Sequence, residues 1–278
     1  MKRDSVSVAE FDLTRTLESG QVFHWTPEGK GWRGLIDRTD IYVEQSGAAL
    51  SFDARHAKIV SHYFALDHPL EQIYESFPDH DFMRAALLSC RGIRILRQPH
   101  WECLATFITS PMKQVAHIRQ MSLAIRTRFG NPVAGSAMNS YPTPEQLACA
   151  DEQALRECGL GFRAKSLFRA SQMVAEGNLD LKKIARMPTE EAREALCQIP
   201  GVGKKVANCV LLFTYERLDA VPIDVWIARV LKELFAKKNR KLTPRQMEEY
   251  SQTRLGIYAG YAQQYLFHHA RSVKLMRG

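Results

Sequence analysis

The stretch from Leu196 to Asp224, LCQIPGVGKKVANCVLLFTYERLDAVPID, constrains this chain more than any other. A helical pattern ends at Leu196, and a glycine-bracketed turn follows, Pro200-Gly201-Val202-Gly203. A second helical pattern then puts Val206, Val210 and Phe213 on one stripe, at spacings of four and three. The turn is too short to be a separate loop, and its glycines permit positive φ and close approach of another backbone. The spacing predicts a helix-hairpin-helix over residues 196–213. A tight turn ahead of a helix leaves N–H groups without intrahelical partners, and such groups bind anions such as phosphate. An ordinary interhelical turn uses the same glycines, so the surrounding residues decide between the two.

Lys204 and Lys205 open the second helix. Lys205, Cys209 and Leu212 share a stripe by i, i+4, i+7 spacing, so one lysine can turn inward beside a thiol while the other faces solvent. A lysine becomes a nucleophile when burial or a neighbouring cation lowers its pKa, and Lys204 is such a neighbour. Two solvated lysines at a helix start are the plainer reading of the pair. Asp224 stands nineteen positions after Lys205, between Val221-Pro222-Ile223 and a helical run from Val225 to Phe235. Asp at a helix start is commonly a cap, and the dipole there favours its ionised form. Kept ionised in a dry cleft, it would stabilise a cationic transition state.

Together, PGVGKKVANC and AVPIDVW resemble the Gly/Pro-rich hairpin and following aspartate of the helix-hairpin-helix DNA glycosylase superfamily, and the 8-oxoguanine DNA glycosylase/AP lyases in particular. The resemblance implies that Lys205 is the nucleophile and Asp224 the catalytic aspartate, with Gly201, Gly203 and Lys204 on the DNA backbone. It extends along most of the chain. Ser19-Gly20-Gln21-Val22-Phe23-His24-Trp25 resembles the family's SGQ-x-F-x-W segment, in which Gly20 would offer its carbonyl to the damaged purine; Phe23 and Trp25 read as core aromatics at a strand entry. Gly92 to Pro99 resembles the family's G-hR-hLRQ-P segment, with h apolar, and Trp101 to Ile108 follows as a buried helix. In Leu155 to Lys165, Phe162 replaces a tyrosine that wedges beside the orphaned base, and Arg163 matches an arginine that contacts the opposite base. A bare Phe-Arg pair would otherwise be one core aromatic and one surface cation. Gly260-Tyr261-Ala262-Gln263 and Phe267 match a helix whose Gln meets the purine's Watson–Crick edge and whose Phe stacks on it, with Cys209 across the ring. Gln263 and Phe267, four apart, share a helix face.

One loop departs from the family. Its S-N-N-N-I becomes Ser110-Pro111-Met112-Lys113-Gln114-Val115, so Met112 takes the place of the wedge asparagine, and His117 that of an arginine that reads the opposite cytosine. An apolar wedge can fill a gap in a base stack but cannot hydrogen-bond the orphaned base. Opposite-base selectivity is therefore expected to be loose.

Composition agrees with a nucleic-acid enzyme without demanding one. The 278 residues are 45% hydrophobic and 24% charged, ordinary for a globular protein with a sizeable core, and the net charge of +8 suits a polyanionic partner. No apolar run approaches the ~18 residues of a membrane span, and MKRDSVSVAEFD has no signal-peptide core, so a cytoplasmic or, in a eukaryote, nuclear protein is expected. Of the six cysteines the nearest two, Cys149 and Cys158, are nine apart, so there is no CxxC metal pattern. None follows Cys209, where the iron–sulfur cluster of endonuclease III-like relatives would need them. No cofactor is expected.

The expected architecture is α+β: an N-terminal antiparallel β subdomain over residues 1–80, mainly β to about residue 70, then a helical domain over 81–278. The basic run LKELFAKKNRKL would line the DNA face or simply end a helix. The resemblance implies a monomer acting on duplex DNA with a damaged purine, with a monovalent cation at the hairpin. The reaction would be base excision through a lysine Schiff base followed by β-elimination. Two other readings remain: a 3-methyladenine-type alkylated-purine glycosylase, a group that lacks the lysine, and a non-catalytic damage sensor, which would need neither Lys205 nor Asp224.

Overall fold

The computed structural model describes residues 3–235 and 242–273. Five strands form one antiparallel sheet: β1 (Arg3–Ser7), β2 (Thr26–Glu28), β3 (Gly31–Ile36), β4 (Thr39–Ser46) and β5 (Ala49–Asp53), in the order β1-β5-β4-β3-β2. Two-residue turns join β2 to β3, β3 to β4 and β4 to β5. The first residue of each, Gly29, Asp37 and Gly47, has φ between 55° and 58°. Positive φ there matches the turn to the right-handed twist of the strands. Ile41, Val43, Leu50 and Phe52 are buried alternately along β4 and β5, and they make the sheet's core with Trp25, Tyr63 and Phe64.

The β character ends sooner than the sequence predicts. A single 3-10 turn at Ala54–His56 leads into the helix Ala57–Tyr63, and a short helix, Leu13–Glu18, already precedes β2. The cause is tertiary: Val60, Tyr63 and Phe64 bury completely in the sheet's core, which turns the chain back as a helix. Phe23 and Trp25 are both core aromatics, in different cores. Trp25 donates to the Tyr63 hydroxyl at 3.1 Å, while Phe23 meets Phe107 of the helical core edge-on.

The irregular segment from Gly92 to Pro99 joins the two cores. Ile93 and Ile95 enter the helical core, and Leu96 the sheet's core. The buried Arg94 donates to the carbonyls of Glu10, Ala65 and His68. Gln21 holds the segment from one side, donating to the Arg94 carbonyl and accepting from the Leu96 amide, both at 2.8 Å. From the other side the Tyr261 hydroxyl accepts from the Ile95 amide at 3.1 Å, and the Gln98 amide donates to Phe213 at 2.9 Å.

Helices and the loops between them make the rest of the described chain. The helix His100–Thr109 is buried from Glu102 to Thr109 and packs on Lys204–Tyr215 and Arg163–Ala175. The helix Asp81–Cys90 packs on Ala259–Ser272. Inside, the Glu102 carboxylate is shared by Arg126 and by His24, whose Nδ1 is 3.1 Å away. Burial works against this carboxylate, but the Arg126 and His24 charges outweigh it and hold its pKa below the usual range. No helix among the described residues is long and apolar enough to cross a membrane. Lys237, Lys238, Arg240 and Lys241 of the basic run lie outside the described residues.

Candidate active site

The hairpin joins the helices Thr189–Cys197 and Lys204–Tyr215. Gly201 has φ +85°, and a Cβ there would sit 2.2 Å from Ser166 Oγ, so the turn rests directly on the helix Arg163–Ala175. Gly203 is the N-cap, with no side-chain cap and open space around it. The first amides of the helix therefore face outward with the positive end of its dipole, an arrangement that receives an anion. Lys204 is exposed and ion-paired with Glu248, its Nζ at 2.8 and 2.9 Å from the two carboxylate oxygens.

Lys205 turns the other way. Its Nζ lies 3.5 Å from Ser110 Oγ and 5.7 Å from the centroid of the Phe107 ring. The Ser110 hydroxyl donates to the Phe107 carbonyl at 2.9 Å, which leaves its oxygen lone pairs towards the amine. One turn along, Cys209 is buried, and burial raises its thiol pKa although the Lys205 charge pulls it down. Asn208 ties the hairpin to the aspartate's segment: it accepts from Arg193 Nε and donates to the Val221 carbonyl, both at 2.7 Å.

Asp224 caps the helix Val225–Phe235, accepting on Oδ1 from the amides of Trp226 at 3.0 Å and Ile227 at 2.9 Å. Those bonds and the dipole favour the carboxylate, as the sequence suggests, yet burial dominates and raises its pKa. The charges of Lys205 and Arg271 pull it back. Asp224 is thus a carboxylate held in a poorly solvated place beside two cations.

The helix Ala259–Ser272 carries Gln263 and Phe267. Gln263 is buried, and its Oε1 accepts no hydrogen bond among the described residues. An orphaned buried acceptor is costly, so a donor is wanted there. Phe267 follows on the same face, against Gly20: a Cβ on Gly20, whose φ is +87°, would come 3.2 Å from Phe267 Cε1 and 2.9 Å from Arg271 Nη1. A cavity of about 210 Å³ opens beside Lys205, lined also by Lys204, Asn208, Ile223 and Glu248. Cys209, Gln263 and Phe267 are not among the residues that line it.

The predicted wedge residues lie at the surface. Met112 is 89% exposed at the tip of the turn after His100–Thr109, with φ 57°, a conformation that suits Asn or Gly better than Met. His117 is exposed on the helix Val115–Phe129. Phe162 is 62% exposed and Arg163 only 5%, the reverse of a core aromatic beside a surface cation. Arg163 stacks 4.3 Å from the Phe162 ring centroid and donates from Nε to the Pro111 carbonyl at 2.8 Å, with Nη2 on the same oxygen. It therefore holds the backbone of the loop that carries Met112.

Sequence reasoning left out Ser110, Asn208 and Arg271. Ser110 and Asn208 sit in stretches that it had already singled out and Arg271 just beyond one, but only the packing of separate elements shows what they touch. Among the described residues no group of three or more His, Cys, Asp or Glu is placed to hold a metal ion.

Comparison with known proteins places this architecture. Residues 107–255 match the HhH-GPD superfamily of base excision DNA repair proteins, and residues 5–104 match the N-terminal domain of 8-oxoguanine DNA glycosylases. An N-glycosylase/DNA lyase of Saccharomyces cerevisiae is 30% identical over 95% of this chain and 84% of its own. The structure of MBOgg1 in complex with a low affinity DNA ligand is 34% identical, with a TM-score of 0.92 over 99% of this chain and 97% of that one. The Clostridium acetobutylicum 8-oxoguanine glycosylase/lyase, solved with duplex DNA containing cytosine opposite 8-oxoguanine, is 25% identical, with a TM-score of 0.89 over 99% of both chains. A sheet domain joined to a helix-hairpin-helix, with a lysine and an aspartate at its helix starts, defines a base excision repair glycosylase, and the chain belongs to the HhH-GPD superfamily. Within that superfamily it is a DNA glycosylase and lyase of the type that carries the 8-oxoguanine glycosylase N-terminal domain.

Proposed function

We propose that this enzyme excises 8-oxoguanine from duplex DNA through a Schiff base on Lys205 and then nicks the strand by β-elimination. The observation that carries the proposal is Lys205 itself, a half-buried amine at the start of the hairpin helix, against Phe107 and Ser110 and within the field of Asp224. A base must leave the stack before its glycosidic bond can be reached. Gln263 would then meet the purine edge, Phe267 and Cys209 its two faces, and the Gly20 carbonyl the N7 hydrogen that guanine lacks. A buried acceptor that guanine cannot satisfy discriminates strongly. Lys205 Nζ would attack C1′ as the base leaves, and the Asp224 charge would stabilise the sugar cation.

The hairpin amides after Gly201 and Gly203, with a monovalent cation and Lys204 nearby, would hold a DNA phosphate. Met112 and Phe162 would fill the gap left by the extruded base. His117 would offer one ring to the orphaned base. Direct reading by Arg163 requires that its bond to Pro111 open first. A monomer with its domain boundary near residue 80 suffices for all of this. The alkylated-purine alternative has no use for an inward lysine at position 205.

The test is borohydride trapping on abasic and 8-oxoguanine duplexes. The wild-type protein should form a covalent adduct that maps to Lys205. Lys205→Gln should lose base release, nicking and adduct while still binding damaged DNA. A Lys205→Gln protein that cross-links and nicks at wild-type rates overturns the mechanism, and an adduct on Lys204 moves the nucleophile by one residue.

A further inference from the structure

We propose that Arg271 lines the base pocket and sets its charge preference, favouring neutral purines that carry ring carbonyl oxygens and opposing purines made cationic by alkylation. The inference rests on the base-excision reading above and deepens it. Gln263, Phe267 and Arg271 follow one another at i, i+4 and i+8 on the helix Ala259–Ser272, so they share a face. The guanidinium carbon of Arg271 lies 5.1 Å from the centroid of the Phe267 ring. Its Nη1 donates to the Ser19 carbonyl at 3.4 Å, a long bond and its one hydrogen bond among the described residues. The same nitrogen lies 2.9 Å from where a Cβ on Gly20 would be. Guanidinium, aromatic ring and Gly20 backbone therefore meet at one point, and any side chain at position 20 would displace the cation. Arg271 is half-buried and senses Asp224 and Glu18 as opposite charges and Arg119 as a like one.

A guanidinium in such a place has donors to spare in a planar fork, which suits an oxygen on a flat heterocycle. It also acts on the chemistry. When the C1′–N9 bond of a neutral purine breaks, its electron pair goes to the base while the Lys205 Nζ–C1′ bond forms. The base carries the negative charge until it takes up the proton that Nζ releases. A fixed cation beside the ring stabilises that charge as it develops. A purine methylated at N3 or N7 already bears a positive charge and leaves neutral, so the same cation repels it on entry and gains nothing when it departs. For unit charges about 6 Å apart in an effective dielectric of about 20, the difference is of the order of a hundredfold in rate or occupancy.

The experiment uses the full chain, in single-turnover reactions on duplexes with one 8-oxoguanine, one 7-methylguanine or one abasic site. Wild type is compared with Arg271→Leu, Arg271→Gln, which is neutral but retains a donor for the Ser19 carbonyl, and Arg271→Lys, which retains the charge. Both neutral variants should lose 8-oxoguanine excision, relative to nicking of abasic DNA by the same protein, by about tenfold or more, and should gain 7-methylguanine release. Arg271→Lys should keep the wild-type order of substrates. Equal slowing of both bases in the neutral variants, or an Arg271→Lys that behaves like Arg271→Leu, overturns the charge role and leaves only a structural one. A wild-type protein that releases 7-methylguanine as readily as 8-oxoguanine overturns this inference alone. One that nicks abasic DNA yet releases no 8-oxoguanine overturns the reading on which it rests.

Discussion

Gly201→Ala tests whether the hairpin turn is set by its seat on the neighbouring helix. At φ +85° an alanine is left-handed, which costs about 1–2 kcal/mol relative to glycine. Its Cβ would lie 2.2 Å from Ser166 Oγ and 2.9 Å from Ser166 Cβ, and neither contact is tolerable. Relieving them by moving packed backbone costs roughly 1–3 kcal/mol more. The two parts separate in a double-mutant cycle. Ser166→Gly removes both offending atoms, so Gly201→Ala in that background should retain only the conformational part. Ser166→Ala leaves the 2.9 Å contact and should recover little. Stability is read from denaturant midpoints with unchanged slope, and affinity from titration of an abasic-analogue duplex. Because the displaced turn leads straight to the hairpin amides and Lys205, affinity should fall along with stability. A Gly201→Ala protein with wild-type midpoint and affinity, or a cost unchanged by Ser166→Gly, would refute the reasoning.

Three further outcomes are expected. Met112→Asn should stabilise the chain by about 0.5–1 kcal/mol in a thermal melt, since Met112 is left-handed and exposed and has little packing to lose, and it should sharpen preference for cytosine opposite the lesion. Asp224→Asn should slow base excision by orders of magnitude yet not cost the cap, because Asn caps as well as Asp. The Asp224 pKa is raised in the fold, so its ionisation costs stability once pH exceeds the unfolded value. The variant should therefore be the more stable protein at neutral pH, with that advantage vanishing as pH falls through the carboxyl's own titration. Glu102 has the opposite sign: its lowered pKa means stability present above the unfolded value and lost as pH falls towards 2. Glu102→Gln should cost about 3–5 kcal/mol at neutral pH by leaving Arg126 buried without its counter-charge, and the gap to wild type should close on acidification.

Local chemistry made the hairpin legible. Its glycines, its helix stripes and the capping position of Asp224 all follow from spacing within one continuous stretch, and the second helix begins at Lys204 as the pattern indicates. The antiparallel sheet lies in the N-terminal stretch where it was expected, though it ends at Asp53. What was not legible depends on meetings between distant segments. Nothing in Ala54–Tyr63 announces a helix until Tyr63 and Phe64 find Trp25. His24, Glu102 and Arg126 come from three separate elements. Arg163 reads as a surface cation until the Pro111 carbonyl, fifty-two positions away, accepts from it. Arg271 stands just beyond the matched Gln263 and Phe267, and only the return of the chain near Ser19 gives its charge a place to act.

The irregular passage from Gly92 to Pro99 bears on how such enzymes can be rearranged. Its backbone is gripped by Gln21 from the sheet's side and by Tyr261 and Phe213 from the other, and its own Arg94 reaches back to Glu10, Ala65 and His68. Cut at any point between the sheet and the helices, the chain would strand a buried guanidinium and several amides without acceptors. The two regions are therefore a poor unit of modular exchange. A chimera that takes its sheet from one relative and its helices from another would have to carry this passage and its partners on both sides as a matched set. The sheet is thereby coupled to the helix that bears Gln263, so a substitution far from the hairpin can shift that helix.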